Sequence, residues 1–325
     1  MSTIRRAAPV LGAAVLALLL LPDPLAAWGP GTHLHLGLEV LSSLSLLPSS
    51  AAGLLSAHAV EYLYGTLAAD IPVGKSYAPA ERHPHAWHVG RETLEAADDD
   101  PALRAFALGY LSHLAADVAA HERFVPRMLL LTSSTRALGH SYWEHRMDAR
   151  VGGDRARMAR SVVLERDHGR LDRHLDRVLD RTLFSFDTNR RIFHGMVRIA
   201  DDRRWQSLFD TLIENSRWDL EEREAGLFLR EAFELVTGYL RHADASRAAE
   251  GDPTGRNAVT RAKRIRRQVL MDEGFGAANA LRRAADRYFP LPTRSAELWT
   301  SRGQTPEVSE RVRRQLSGTE LRRAS

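Results

Sequence analysis

Cysteine is absent from all 325 residues. That excludes disulfide scaffolds, iron–sulfur clusters, Cys-type zinc fingers and thiol nucleophiles. Any metal must be held by His, Asp, Glu or backbone groups. Lysine is almost missing too: Lys75 and Lys263 are the only two, so nearly all of the 45 basic residues are Arg. With 41 acids the net charge is +4, too small to imply a partner class by itself. Several catalytic strings are also missing. No His-Glu-x-x-His occurs, which disfavours a zincin protease, and no Gly-x-x-x-x-Gly-Lys-Ser/Thr loop occurs, which excludes a P-loop NTPase. There is no His-Asp dipeptide either, which disfavours the other common helical metallophosphohydrolases. With 44% apolar and 26% charged residues, the chain has the balance of a globular protein with a sizeable core.

Long apolar runs are scarce, and the one present lies at the start. Residues 10–21 are all apolar or Gly, preceded by Arg5 and Arg6 and followed by Pro22 and Pro24. Twelve residues suit a signal-peptide core, whereas a membrane span needs about 20. Leu25-Ala26-Ala27 supplies the small residues of a cleavage site. We expect residues 1–27 to be a signal peptide cut between Ala27 and Trp28, leaving an exported protein, periplasmic or secreted.

Strand-like alternation is rare and helical periodicity common. Helices are expected near residues 32–44, 51–67, 90–97, 101–121, 136–151, 155–183, 187–201, 205–216 and 219–243. Residues 71–84, with Pro72, Gly74, Pro79 and Pro84, read as a loop. Asp98-Asp99-Asp100-Pro101 is a helix start, with acids at the positive end of the dipole and Pro in the first turn. The composition changes near residue 246. Residues 246–325 carry 17 bases and 9 acids, against 26 and 31 in residues 28–245. The expected organisation is therefore an all-α, multi-helix bundle over 28–245, followed by a basic extension over 246–325. That extension reads as partly helical and as disordered beyond about Thr300.

Of 14 His, 10 fall between His33 and His145. His113, Asp117 and His121 are spaced i, i+4, i+8, which stacks them along one helix face. Only small or apolar residues separate them, so the face is expected to be buried, and buried polar groups need partners. A hydrogen-bonded polar stripe would satisfy that need; so would a metal, for which neutral imidazole and carboxylate are standard ligands. His140 and Glu144 repeat the four-residue spacing. With His121 they would complete a two-His, one-carboxylate set with a position open for water or substrate. Asp70 enters the 71–84 loop, and His83, His85 and His88 follow within six residues. Trp28, freed by cleavage, would offer its α-amine and carbonyl five residues before His33; the amine's ordinary pKa of about 7.7–8.0 lets it deprotonate when a metal binds.

In this order, Trp28 with His33, Asp70, His85, His113/Asp117/His121 and His140/Glu144 resemble the zinc-dependent phospholipase C family, whose fold is shared with the three-zinc single-strand nucleases. The resemblance runs over about residues 28–150. It implies an all-α fold of the phospholipase C/nuclease type and up to three zinc ions. By that resemblance Asp70, His85, His113 and Asp117 hold one zinc. Trp28, His33 and Asp117 hold a second, with Asp117 bridging, and His121, His140 and Glu144 hold the third. His83 is the alternative to His85; His35, His88 and His145 are supporting or surface groups. The family usually has a Pro-containing insertion between the helix Asp and the next His, whereas here Asp117 and His121 are four apart. The implied activity is hydrolysis of the glycerol-side phosphodiester of phospholipids by a zinc-activated water, with Asp70 and Asp117 as catalytic residues. The basic extension could rest on an anionic membrane surface. No obligate protein partner is expected. A single-strand nuclease or nucleotidase on the same site is the second reading, with Trp87, Tyr142 and Trp143 as candidate stacking rings. A non-catalytic, zinc-stabilised helical module is the third.

Overall fold

The computed structural model describes residues 28–72, 83–132, 137–179, 185–200, 216, 218–274, 277–293 and 305–316. The expected signal peptide, most of the 71–84 loop and nearly all of the helix expected at 205–216 lie outside them. Among the described residues every regular element is helical, so the fold is all-α. No described helix is long and apolar enough to cross a membrane.

Helix α1, Pro30–Ser42, starts on a proline at its first turn. A short 3-10 turn leads to α2, Ser49–Ala57, and α3, Ala59–Ala68. After the loop come α4, Trp87–Glu95, and α5, Pro101–Ala119. The Asp100 carboxylate caps α5 by accepting from the Ala102 and Leu103 N–H groups at 3.0 and 3.1 Å. The chain then widens into a π-helical turn, Ala120–Phe124, and continues as α6, Val125–Thr132. Helix α7 spans Ala137–Val151.

Helix α5 is the axis of the molecule. Every residue from Gly109 to Ala119 is buried, because α3, α4 and the later α11, Glu222–His242, pack against it. Helices α3 and α5 touch backbone to backbone at two glycines. A Cβ added to Gly65 would lie 2.0 Å from the Phe106 carbonyl oxygen, and one on Gly109 would lie 2.0 Å from that of Tyr62. This contact sets the end of α3, where Asp70 sits, beside the His113 and Asp117 face of α5.

The single helix expected at 155–183 is two: α8, Gly153–Leu164, and α9, Gly169–Leu179. The break has a local cause. The Asp167 carboxylate accepts the Gly169 N–H at 2.8 Å, starting a new helix. His168 turns inward, stacks on Tyr64 with centroids 3.7 Å apart, and donates to the Val162 carbonyl at 2.6 Å. Helix α10 is Phe186–Ala200.

The change of composition at residue 246 is not matched by a break in packing. Helices α12, Arg256–Glu273, and α13, Ala277–Tyr288, build a small core with Leu130 of α6 from Ala262, Ala277, Leu281, Ala285 and Phe289. Beyond Thr300, where disorder was expected, α14 spans Thr305–Leu316. Its Val308 and Val312, four apart on one face, join the main core beside α1 and α3.

Candidate metal centre

Four segments converge on one carboxylate. Asp117 on α5 is fully buried. Its oxygens lie 3.1 Å from His85 Nε2, 3.2 Å from His113 Nε2 and 3.4 Å from His33 Nε2. Asp70, just past α3, puts Oδ1 3.4 Å from His85 Nε2 and 3.9 Å from His113 Nε2. The His33 and His113 rings stack at 3.8 Å, and the Nε2 atoms of His85 and His113 are 3.1 Å apart. His113 Nδ1–H donates to the Thr66 carbonyl at 2.9 Å, which leaves the Nε2 lone pair for the centre. Two such nitrogens this close need a proton or a cation between them.

The donor set fits a divalent metal. His85, His113 and Asp117, and likewise His33, Asp70 and His113, each offer ligand atoms all within 4.8 Å of one another. Both Asp117 oxygens and His33 Nε2 are buried with no hydrogen-bond partner. Leaving a buried carboxylate without hydrogen bonds costs several kcal/mol unless a cation compensates, about the scale of breaking a buried pair. Burial opposes ionisation of Asp117, yet the neighbouring His113 and contacts to His113, His33 and His85 hold its carboxyl well below the usual range. Burial first, then His113, lowers the His33 pKa, so His33 is held neutral, as a ligand must be.

His121, His140 and Glu144 sit beside this cluster without forming an equally compact group. His140 Nε2 is 3.0 Å from Glu144 Oε1, and the His121 and His140 ring centroids are 5.4 Å apart, edge to face. His121 Nδ1 is 4.0 Å from Asp117 Oδ2 and hydrogen-bonds the Pro253 carbonyl; its Nε2 is buried without a partner. Trp28 is fully buried, its ring 6.3 Å from that of His33 and 6.1 Å from that of Phe124.

Of His83 and His85, it is His85 whose Nε2 lies near Asp70, His113 and Asp117. His83 stands behind it and accepts the His85 backbone N–H on Nδ1 at 3.1 Å. The Tyr110 hydroxyl, three residues before His113, holds this turn by donating to the Pro84 carbonyl at 2.5 Å. His35 is away from the cluster, 3.9 Å from Glu39. Trp87 stacks on Tyr239 at 4.8 Å, Trp143 is buried and donates to Thr132, and the Tyr142 hydroxyl donates to the Trp218 carbonyl.

Asp148 on α7 is a residue that sequence reasoning missed. It caps α1 from another helix, accepting the Gly31 and Thr32 N–H groups at 3.2 and 2.9 Å and the Thr32 hydroxyl. Burial raises its carboxyl pKa against the opposing effect of the Thr32 hydroxyl. This latch ties the Trp28–His33 segment to α7. Asp148→Ala should cost about 1–2 kcal/mol, the range for a lost cap, in urea unfolding, and Asp148→Asn clearly less.

Burial of two histidines, His121 at the centre and His35 away from it, also gives the protein a pH signature. His35, by burial and then Arg155, and His121, by burial above all, have pKa values lowered from 6.5 to about 4. Each is neutral in the fold but protonated in the unfolded chain below 6.5, so stability is lost as the pH falls from 6.5 towards 4. The metal-free protein should lose about 2 kcal/mol per group between pH 7 and pH 5 in urea unfolding. A flat profile over that window would contradict the burial of both rings.

A carboxylate buried among imidazoles from separate segments of an all-helical protein is a donor set that could hold a divalent metal. The family model described as zinc dependent phospholipase C matches residues 32–220, more than half of the chain, and the chain belongs to that family. No curated protein and no solved structure matches it. The family makes the protein a zinc-dependent hydrolase in general character, with lipid as the implied substrate class.

Proposed function

We propose that the protein is an exported phospholipase C that hydrolyses the glycerol-side phosphodiester of phospholipids. The observation that carries this reading is a fully buried Asp117 shared by three imidazoles beside an Asp70 side chain that is 16% exposed. Of these groups Asp70 is the one open to solvent, so substrate and water arrive on its side. Asp70, His85, His113 and Asp117 would hold one zinc; Trp28, by its freed amine and carbonyl, His33 and Asp117 a second; His121, His140 and Glu144 a third. Zinc bound there supplies positive charge against the anionic diester and its leaving oxygen and lowers the pKa of nearby water.

The chain's own residues do the rest. Asp70 orients the attacking water and accepts its proton. Asp117, ionised and fixed by burial, holds the three imidazoles in register. The oxygen of water bonds to phosphorus, the bond from phosphorus to the glycerol oxygen breaks, and diacylglycerol leaves with a proton. The open Asp70 supports an enzyme over a non-catalytic zinc module. The engaged rings of Trp87 and Trp143 support a lipid over a single strand, whose bases would need free aromatic faces. On α12, exposed Arg261, Arg264 and Arg267 precede exposed Leu270 and Met271, which suits contact with anionic lipid at up to about 1 kcal/mol per base.

The test is a pair of assays on the secreted protein. Phosphatidylcholine vesicles should release diacylglycerol, while single-stranded DNA should stay intact. DNA cleavage without diacylglycerol would replace this reading with the nuclease one. A zinc-loaded protein inert on both would leave only the structural module.

A further inference from the structure

Residues 251–255, Gly-Asp-Pro-Thr-Gly, lie beyond residue 220, where the family match ends. They cross the π-helical turn that carries His121. The Pro253 carbonyl accepts the His121 Nδ1–H, and Glu122 Oε1 accepts the Asp252 N–H at 2.8 Å. At the other edge the Trp87 indole N–H donates to the Gly251 carbonyl at 2.8 Å. Internally the strap is a fixed turn: Asp252 Oδ1 accepts the Thr254 N–H and hydroxyl at 2.9 and 2.6 Å, and the Gly255 N–H bonds the Asp252 carbonyl at 3.0 Å.

The strap is pressed onto the helix with no room for side chains at its ends. A Cβ on Gly251 would lie 2.3 Å from Val118 Cγ1. One on Gly255, whose φ is +55°, would lie 2.3 Å from His121 Cβ and 2.6 Å from the His121 carbonyl oxygen. Glycine alone suits such a conformation and such an approach.

We propose that residues 251–255 are a positioning element of the metal centre, supplied by the segment outside the family match. The Pro253 carbonyl holds the proton on Nδ1 of His121, so the buried Nε2 keeps its lone pair for the ion shared with His140 and Glu144. The π-helical turn, common at functional sites, is what brings Nδ1 to the strap. Glu122 and Trp87 pin the strap, and the two glycines let it close. The basic extension is thereby part of the site. This rests on the proposed role of His121, His140 and Glu144 as ligands.

The experiment uses the full mature chain. Zinc affinity per ion is measured by competition with a chelator in wild type, Glu122→Ala, Glu122→Gln and Gly255→Ala, and the His121 tautomer by 15N NMR of the wild type. In wild type we expect His121 to be protonated on Nδ1. Glu122→Ala and Gly255→Ala should weaken one ion by about 10–100-fold, the usual effect of removing support from a ligand, and leave the others unchanged. Glu122→Gln, which keeps the acceptor oxygen, should bind like wild type. Unchanged affinities in both Glu122→Ala and Gly255→Ala, or a His121 protonated on Nε2, would overturn the proposal while leaving the zinc reading intact. A wild type that binds no zinc would overturn both. Should Gly255→Ala fail to fold, Glu122→Ala, its Gln rescue and the tautomer decide.

Discussion

Asp117→Asn should abolish hydrolysis and strip the protein of most of its zinc, with its helical content retained. The carboxylate is met by three imidazoles at 3.1–3.4 Å, each from a different segment. An amide of the same shape carries no charge and presents N–H groups to one side. The imidazoles would then face a neutral dipole, and two proposed ions would lose their common ligand. Turnover of a phosphodiester dye should fall by at least about a thousandfold, about 4 kcal/mol of barrier. The helix should survive, because removing an unsatisfied buried charge also removes its desolvation cost. Unchanged turnover would take Asp117 out of the mechanism.

The second large effect is structural. Gly65→Ala should cost about 3 kcal/mol or more, since the added methyl meets the Phe106 carbonyl oxygen at 2.0 Å and the Gly109 Cα at 3.0 Å. Backbone cannot swing aside as a side chain can, so α3 and α5 must part. Parting them moves Asp70 away from His85 and His113. Zinc affinity should therefore fall together with the unfolding midpoint. Gly53→Ala, where a methyl would meet nothing within 4 Å, is the matched control and should be neutral or slightly stabilising. A Gly65→Ala protein as stable as wild type would show that the two helices do not touch there.

Much of the centre was legible from spacing. His113 and Asp117 are local to one helix, and i, i+4 periodicity alone puts them on a face; His121 keeps the spacing but falls in the π-helical turn that follows. His140 and Glu144 are legible for the same reason. Asp70 and His85 were read from order and density, with His85 preferred to His83 for its spacing from Asp70, and the structure puts His85 Nε2 3.4 Å from Asp70 Oδ1. What stayed hidden depends on contacts distant in sequence. Asp148 caps a helix 116 residues away, and a lone Asp inside a helical pattern gives no hint of that. The Pro253 carbonyl is a backbone group and has no signature in residue type. The break at His168 was signalled by Asp167 and Gly169, but amphipathic periodicity on both sides masked it. In the basic extension, charge content hid Val308 and Val312, whose four-residue spacing marks a packed face.

The proposed chemistry requires that these side chains surround zinc. Crystals of the protein beginning at Trp28, measured on either side of the zinc absorption edge, test it directly. Anomalous peaks are expected at Asp117, one shared with Asp70, His85 and His113 and one with Trp28 and His33, and a further peak at His121, His140 and Glu144. A map with no peak beside Asp117, from protein that retains phospholipase activity, would contradict it.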